Sequence, residues 1–454
     1  MNYNIYKLCS TTPPFGENGL RILLIPNKTS YILSCGIDIK IGAIDENKDE
    51  NGIAHFLEHM SFKGTDKYDI IKLHELLDHM SIRYNASTSI DYTQYEMHGL
   101  PKYYKEMIDI LLELYFKANI DINEVEKERN VILEEANMYK DNIDTLQSIN
   151  IMKMTTSKYP EYNNNIIGTT KSIKNITHKQ LIEFRKKYFD YKKTMIVIYG
   201  NFELNKMIKL LTTKLSYYLN DNIELKTDTT TLNKYSNDKI EHIDDIYKPL
   251  LSQRYKYKHK NIINTHIYIT FATYKAYHSN IIICNLICLL LINGMTGRLT
   301  QKLRVDNQLT YNVDANIMPN DKFGLFLISS IITYNNLEKT INIILEELSN
   351  LYKNGINENE LTKIKQDYII SKSIYFQNQM NFFYYYKDKL KHNYDVQSLT
   401  EIIDNVNKIT MNDINKIIKE IVDPTQLFIS IVGPTKPNKN IILNSFKLFA
   451  NNIK

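Results

Sequence analysis

The sequence predicts an α+β protein built from two related halves, and three observations carry that prediction. The chain has 454 residues, too many for one ordinary core. Its composition, 43% hydrophobic and 24% charged, is that of a soluble globular protein rather than a disordered one. One helix–strand unit also recurs. Ile176-Thr177 opens HKQLIEFRKKYF, which leads to the apolar strand at residues 194–200; Ile409-Thr410 opens MNDINKIIKEIV, which leads to the strand at residues 426–433. Thr177 to Thr410 and Gly200 to Gly433 are the same step of 233 residues. Each Thr can cap a helix and each Gly closes a buried apolar strand. Duplication accounts for this better than chance agreement of two unrelated units.

Taken in order, alternation at residues 21–26 and 32–41 predicts two strands joined through the Asn27-Lys28 turn region. Helices follow at 52–62 and 69–80, strands at 81–88 and 93–100, and long helices at 102–117 and 123–140. The polar stretch 221–248 lacks periodicity and is expected to link the halves. This gives an N-terminal domain at 1–220, a linker at 221–248 and a C-terminal domain at 249–454. The second half follows the same pattern, with a strand at 265–273, helices near Asn280 and Gly297, strands at 310–317 and 324–333, then several helices.

Charge and cysteine usage narrow the function classes. A net charge of +5 over this length leaves no nucleic-acid footprint. The one short basic run, RYKYKHK from Arg254 to Lys260, reads as a solvated face or loop. Cys284 and Cys288 lie four apart in an apolar helical run and are expected to be core thiols; no disulfide framework is expected. The N-terminal MNYNIYKLCSTTPPF lacks the apolar stretch of a signal peptide and the Arg-rich character of an organelle presequence. The apolar run 281–292 is too short to span a bilayer. The expectation is an intracellular, cytoplasmic protein without a membrane span.

The sharpest chemical signal is AHFLEHMSFKGT, residues 54–65. His55 and His59, four apart on a helix, point the same way, about 40° apart around the axis. Two imidazoles on one helical face suit a single zinc ion. Glu58 sits beside them and can reach a water at the metal rather than the metal itself. The pattern is H-x-x-E-H, the inverted form of H-E-x-x-H. A catalytic zinc needs a third protein ligand, and EVEKERNVILEEANMY (124–139) offers candidates. Glu128 and Glu135 are seven apart and share a helix face with Val131 and Ile132. Glu126 and Glu134 read as exposed helix carboxylates. His74, Glu75, Asp78 and His79 imitate a second motif, but Asp78 stands where H-E-x-x-H needs His, so an exposed helical face explains them.

Gly19-Leu20-Arg21, Gly52 to Met60, Lys63-Gly64-Thr65 and Glu128 to Glu135 together resemble the insulinase/pitrilysin (inverzincin) family of zinc metallopeptidases. The resemblance is to its short branch, the mitochondrial-processing-peptidase-β-like and bacterial processing-protease group, and is strongest over residues 18–144. The family places its third ligand about 76 residues beyond the second His, and 59 to 135 is 76. The resemblance therefore implies His55, His59 and Glu135 as zinc ligands, Glu58 as general base and Glu128 as a supporting carboxylate. It also implies two homologous α/β-roll domains, each a mainly antiparallel sheet packed by helices.

Further implications concern substrate. The stretch 81–90, with Asn85 and Ala86, is similar to the family strand that pairs with an extended peptide. Arg304 and Tyr311, seven apart, resemble its Arg/Tyr element, which can bind the substrate carbonyl or a developing oxyanion. Related short chains complete one site with that element of a second subunit, so a homodimer or a heterodimer with a related subunit is expected. The expected activity is zinc metalloendopeptidase action on extended or unfolded peptides. The alternatives are a non-catalytic scaffold and a peptide-binding subunit of the same fold.

Overall fold

The computed structural model describes residues 3–10, 19–228, 232–233, 235–241 and 253–453, with backbone alone described at 7–10. The chain forms two compact units, and neither is continuous in sequence. The first comprises Met1–Tyr139, Asn164–Leu232 and Asn378–Asn393; the second comprises Lys140–Asn163, Asn233–Gln377 and Tyr394–Lys454. A division at 220 and 249 thus leaves out an exchange of one helical segment in each direction. Local sequence pattern does not report which sheet a helix packs on.

The first unit holds a seven-stranded sheet of β1 (Asn4–Ser10), β2 (Arg21–Pro26), β3 (Leu33–Ile39), β4 (Arg83–Thr88), β5 (Thr93–Gly99), β6 (Thr194–Gly200) and β7 (Ile223–Thr227), in the order β4-β5-β3-β6-β2-β1-β7. Only β2 and β6 run parallel; the other pairs are antiparallel. The strands β2 and β3 are not neighbours, because β6 lies between them. All seven residues of β6, TMIVIYG, are buried, so this strand belongs at the sheet's centre. Ile223–Thr227, expected in the linker, is instead the edge strand β7, paired to β1. Residues 242–248 of that expected linker lie outside the described residues.

Of the helices α1 (Ile53–Ser61), α2 (Ile70–His79), α3 (Tyr104–Lys117), α4 (Ile122–Asp141), α5 (Ile143–Thr155), α6 (Thr170–Asn175), α7 (His178–Tyr188) and α8 (Leu204–Leu219), the first four and α7 match the expected ones, and α5, α6 and α8 are additional. Phe56 and Met60 of α1, Leu111 and Leu114 of α3 and Leu211 of α8 share one core with Ile22, Leu24 and Ile37 of the sheet. Late in the chain, helix Gln379–Lys391 also belongs to this unit. Its Lys387 is 3% exposed, with Nζ 3.1 Å from Asp38 Oδ1 and donating to Gln94 Oε1 at 2.8 Å.

Among the described residues the second unit holds five strands: β8 (Tyr255–His259), β9 (Thr265–Thr273), β10 (Thr310–Pro319), β11 (Gly324–Ile332) and β12 (Phe428–Gly433), ordered β10-β11-β9-β12-β8. The run 254–260 is therefore mostly an edge strand, not a loop. Helix α5 belongs here: Gln147 Nε2 donates to His266 C=O at 2.8 Å, and Asn150 Nδ2 to Ser430 Oγ at 3.1 Å. Helix α9 (Ile281–Ile292) buries Cys284 and Cys288, which are free thiols. No described helix is long and apolar enough to cross a membrane.

The repeat extends to side-chain detail. Thr177 accepts from the Gln180 N–H and Gln180 reaches back to Thr177; Thr410 and Asp413 do the same before helix Met411–Ile421. In both units the following strand pairs parallel on one side and antiparallel on the other. The 233-residue step carries the pair Ile22↔Ile196 onto Tyr255↔Ile429.

Candidate metal centre

Helix α1 is short, and its start is fixed from outside. Gly52 takes φ +96°, and a Cβ there would meet the Ile167 carbonyl oxygen at 2.4 Å, so only glycine fits. The N–H groups that a helix start leaves unpaired are taken by Glu46. Its Oε2 accepts from Gly52 N–H and Asn51 Nδ2, each at 2.8 Å, and its Oε1 from Ala54 N–H at 3.0 Å. Burial pushes the Glu46 carboxyl up to about 7 in spite of these bonds. Every residue of α1 but His59 is buried.

On this helix the His55 and His59 rings stand edge to face, their centroids 4.6 Å apart. Glu135 reaches them from α4: its Oε2 lies 3.7 Å from His55 Nε2 and 3.3 Å from His59 Nε2. The ligand atoms offered by these three residues all lie within 4.8 Å of one another. Glu128, two turns earlier on α4, holds the far side of His59, with Oε1 2.8 Å from Nδ1. Its other oxygen meets Lys63 Nζ at 2.5 Å. Glu58 stands beside the pair, and its Oε2 accepts from the Thr88 hydroxyl at 2.8 Å.

Helix α4 is pinned to α1 through Arg129, which is buried. Its guanidinium lies 5.3 Å from the Phe56 ring centroid, donates to Ile173 C=O and holds both oxygens of Glu126. Glu126 and Glu134 are exposed, as expected, whereas Val131 is 52% exposed and does not share the inner face. The 100° advance per residue sets 131 and 132 on opposite sides of the line through 128 and 135, and it is the side of 132, with Val125 and Ala136, that is buried.

The electrostatics separate the groups. Burial, then the neighbouring His59, lowers His55 to about 4, so its imidazole is neutral and available as a donor. Burial also opposes charge on His59, but the carboxylates of Glu128 and Glu135 outweigh it and raise the ring to about 9. Glu128 is held low by His59 and Lys63 against the effect of burial, and Glu135 is held low first by its hydrogen bond with His59. Burial raises Glu58. Two imidazoles and a carboxylate converging, with the proton of His59 drawn between carboxylates, are a donor set that fits a divalent cation in the proton's place. Among the described residues His55 lacks the support His59 has: its Nδ1 is buried without a hydrogen-bond partner.

Other predicted residues fall as follows. Asn85 is exposed and Ala86 half-buried on β4, which ends its sheet and pairs only with β5 among the described strands. In the second unit Arg304 lies over the Tyr311 ring, 4.6 Å from its centroid, and Tyr311 is 82% exposed. The two line a cavity of about 230 Å³ with Met295, Thr300, Asn312 and Asp314. His74 meets the Tyr84 hydroxyl at 2.9 Å, and Glu75, Asp78 and His79 are exposed, in keeping with an outer helical face. Sequence reasoning missed the roles of Glu46, Lys63, Thr88 and Arg129. Lys63 does lie four residues past His59, one turn on, but contacts made across space leave no pattern in the chain.

Over residues 21–170 the chain matches the family described as Insulinase (Peptidase family M16), and over 175–368 the Peptidase M16 inactive domain. YmxG of Bacillus subtilis, named an uncharacterized zinc protease, is 27% identical over 354 residues, 77% of this chain and 80% of that protein. The mitochondrial-processing peptidase subunit beta of Rattus norvegicus is 30% identical over 196 residues, 43% of this chain and 39% of that subunit. A solved protease from Helicobacter pylori has the same fold, with TM-score 0.75 at 22% identity, covering 95% of this chain and 100% of that one. So does the M16 inactive-domain structure from Pseudomonas fluorescens, with TM-score 0.79 at 16% identity and 96% and 99% coverage. With the fold and both sequence matches in agreement, the chain belongs to the insulinase (M16) peptidase family.

Proposed function

We propose that the chain is a zinc-dependent endopeptidase that hydrolyses extended or unfolded peptides. The observation that carries this reading is the meeting of Glu135 Oε2 with the Nε2 atoms of His55 and His59, at 3.7 and 3.3 Å. His55, His59 and Glu135 would hold the ion through those atoms. When bound, zinc supplies Lewis acidity to a water and to the scissile carbonyl. Glu128 orients His59 by accepting at Nδ1, which keeps Nε2 turned to the centre. Glu58 accepts a proton from the attacking water and passes it to the leaving amine. The Thr88 hydroxyl holds one of its oxygens, and burial raises its affinity for that proton.

Substrate would lie along β4 near Asn85 and Ala86, where an unpaired strand edge binds a peptide backbone with little regard to sequence. Arg304 and Tyr311 would bind a substrate carbonyl, from the same chain or from a second subunit of a homodimer or heterodimer. That one relative is named a zinc protease and another a peptidase subunit supports the reading. Measured zinc content, with cleavage of an unstructured peptide that a chelator abolishes, tests it. Zinc without cleavage would instead favour a peptide-binding role, and neither would favour a scaffold.

A further inference from the structure

Among the described residues the duplication is incomplete at one edge, and that edge carries the basic run the peptidase reading leaves unused. In the first unit β2 pairs with β6 on one side and, antiparallel, with β1 on the other, through Asn4↔Leu24, Ile5↔Leu23, Tyr6↔Ile22 and Lys7↔Arg21. The 233-residue step carries Ile22↔Ile196 onto Tyr255↔Ile429 and Pro26↔Gly200 onto His259↔Gly433. Thus β8 is the register equivalent of β2. Among the described residues it pairs with β12 alone and ends its sheet.

The direction of its backbone groups is fixed. Arg254 C=O accepts from Ile429 N–H at 2.9 Å, and Lys260 N–H donates to Gly433 C=O at 3.1 Å. Residues of that parity face β12, so the N–H and C=O groups of Tyr255, Tyr257 and His259 face the outer edge.

The edge is also basic. Lys256 and Lys258 share one face of the strand. Burial, then the charge of Lys153 on the packed helix α5, lowers the Lys256 ammonium. Among the described residues no carboxylate lies within ion-pair distance of Lys153, Lys256 or Lys258. The carboxylates where α4 ends and α5 begins are engaged, Asp141 by Lys260 and Asp144 by the Tyr268 hydroxyl. Edge lysines guard against indiscriminate strand pairing. Two β8 edges set together would oppose lysine to lysine, whereas an acidic strand relieves the repulsion.

We propose that the outer edge of β8 accepts an extended acidic segment of another polypeptide, added antiparallel across residues 254–257. Its backbone would pair with Tyr255 and Tyr257 while its carboxylates meet Lys256 and Lys258. The test uses a fluorescein-labelled peptide of alternating Glu and Val, followed by anisotropy against the full chain carrying Glu58→Gln, which keeps the probe intact. Saturable binding is expected, weakened about ten-fold by Lys256→Glu with Lys258→Glu and by molar salt. A Lys/Val peptide should not bind, and hydrogen exchange at the Tyr255 and Tyr257 amides should slow in the complex. No binding, equal binding of the Lys/Val peptide, unaltered binding by the double variant, or unchanged exchange at those amides would each overturn the proposal.

Discussion

Glu58 and Glu128 are both carboxylates beside the same two histidines, yet their surroundings give them opposite preferences for the proton. Glu58 is buried and raised toward its protonated form, with one oxygen held by Thr88. Glu128 is held ionised between His59 and Lys63. We therefore expect Glu58→Gln to lower turnover of a peptide by about 10²–10⁴-fold while zinc binding is kept, measured by steady-state cleavage and metal analysis. Glu128→Ala should instead weaken zinc affinity roughly 10–100-fold, read by competition with a chelator. The spacing of His55, Glu58 and His59 makes the proposed chemistry legible within a single short helix. Glu135 is not legible in that way. The periodicity of α4 leaves Glu128 and Glu135 equally eligible, and it is the fold that turns one to the Nε2 atoms and the other to Nδ1.

At the level of elements, the sites of anchorage are only partly visible in the chain. The caps are visible, because Thr177 and Thr410 act within four residues of their partners. Thr410→Ala should cost about 1 kcal/mol of stability in chemical denaturation. Partners distant in sequence are not visible. Asp109 on α3 receives Lys214 of α8, Lys67, and the Tyr68 hydroxyl at 3.0 Å. Burial works against its charge, but the bonds from Lys214 and Lys67 outweigh it and hold the carboxyl below the usual range. A depressed folded value means the contribution is fully present above the unfolded value, about 3.9, and is lost as pH falls through the folded one. Acid unfolding should therefore be steeper in the native chain than in Asp109→Asn. Equal slopes below pH ~4 would remove Asp109 from the account.

For the whole molecule, the duplication is readable from one repeated helix–strand unit, and the sheet registers repeat at the same step. The exchange of segments is not readable, because α5 and helix Gln379–Lys391 are amphipathic pieces whose destination is set by tertiary packing. Phe383 of the latter is fully buried, and Lys387 is paired with Asp38. A fragment of residues 1–232 should bind a hydrophobic dye and unfold at lower temperature than the same fragment mixed with a peptide of residues 378–393. The halves also differ chemically. The helix that follows β2 and β3 carries His55, Glu58 and His59, whereas the one that follows β8 and β9 is IIICNLICLLLI, with no histidine or carboxylate. One ion per chain is the expected stoichiometry, not two. Equilibrium dialysis with metal analysis of the native chain and of the Glu58→Gln, His59→Ala and Glu135→Ala variants tests that account most directly. We predict one zinc per chain in the first two and little in the last two; a native chain without zinc, or variants at 59 and 135 that retain it, would contradict the assignment.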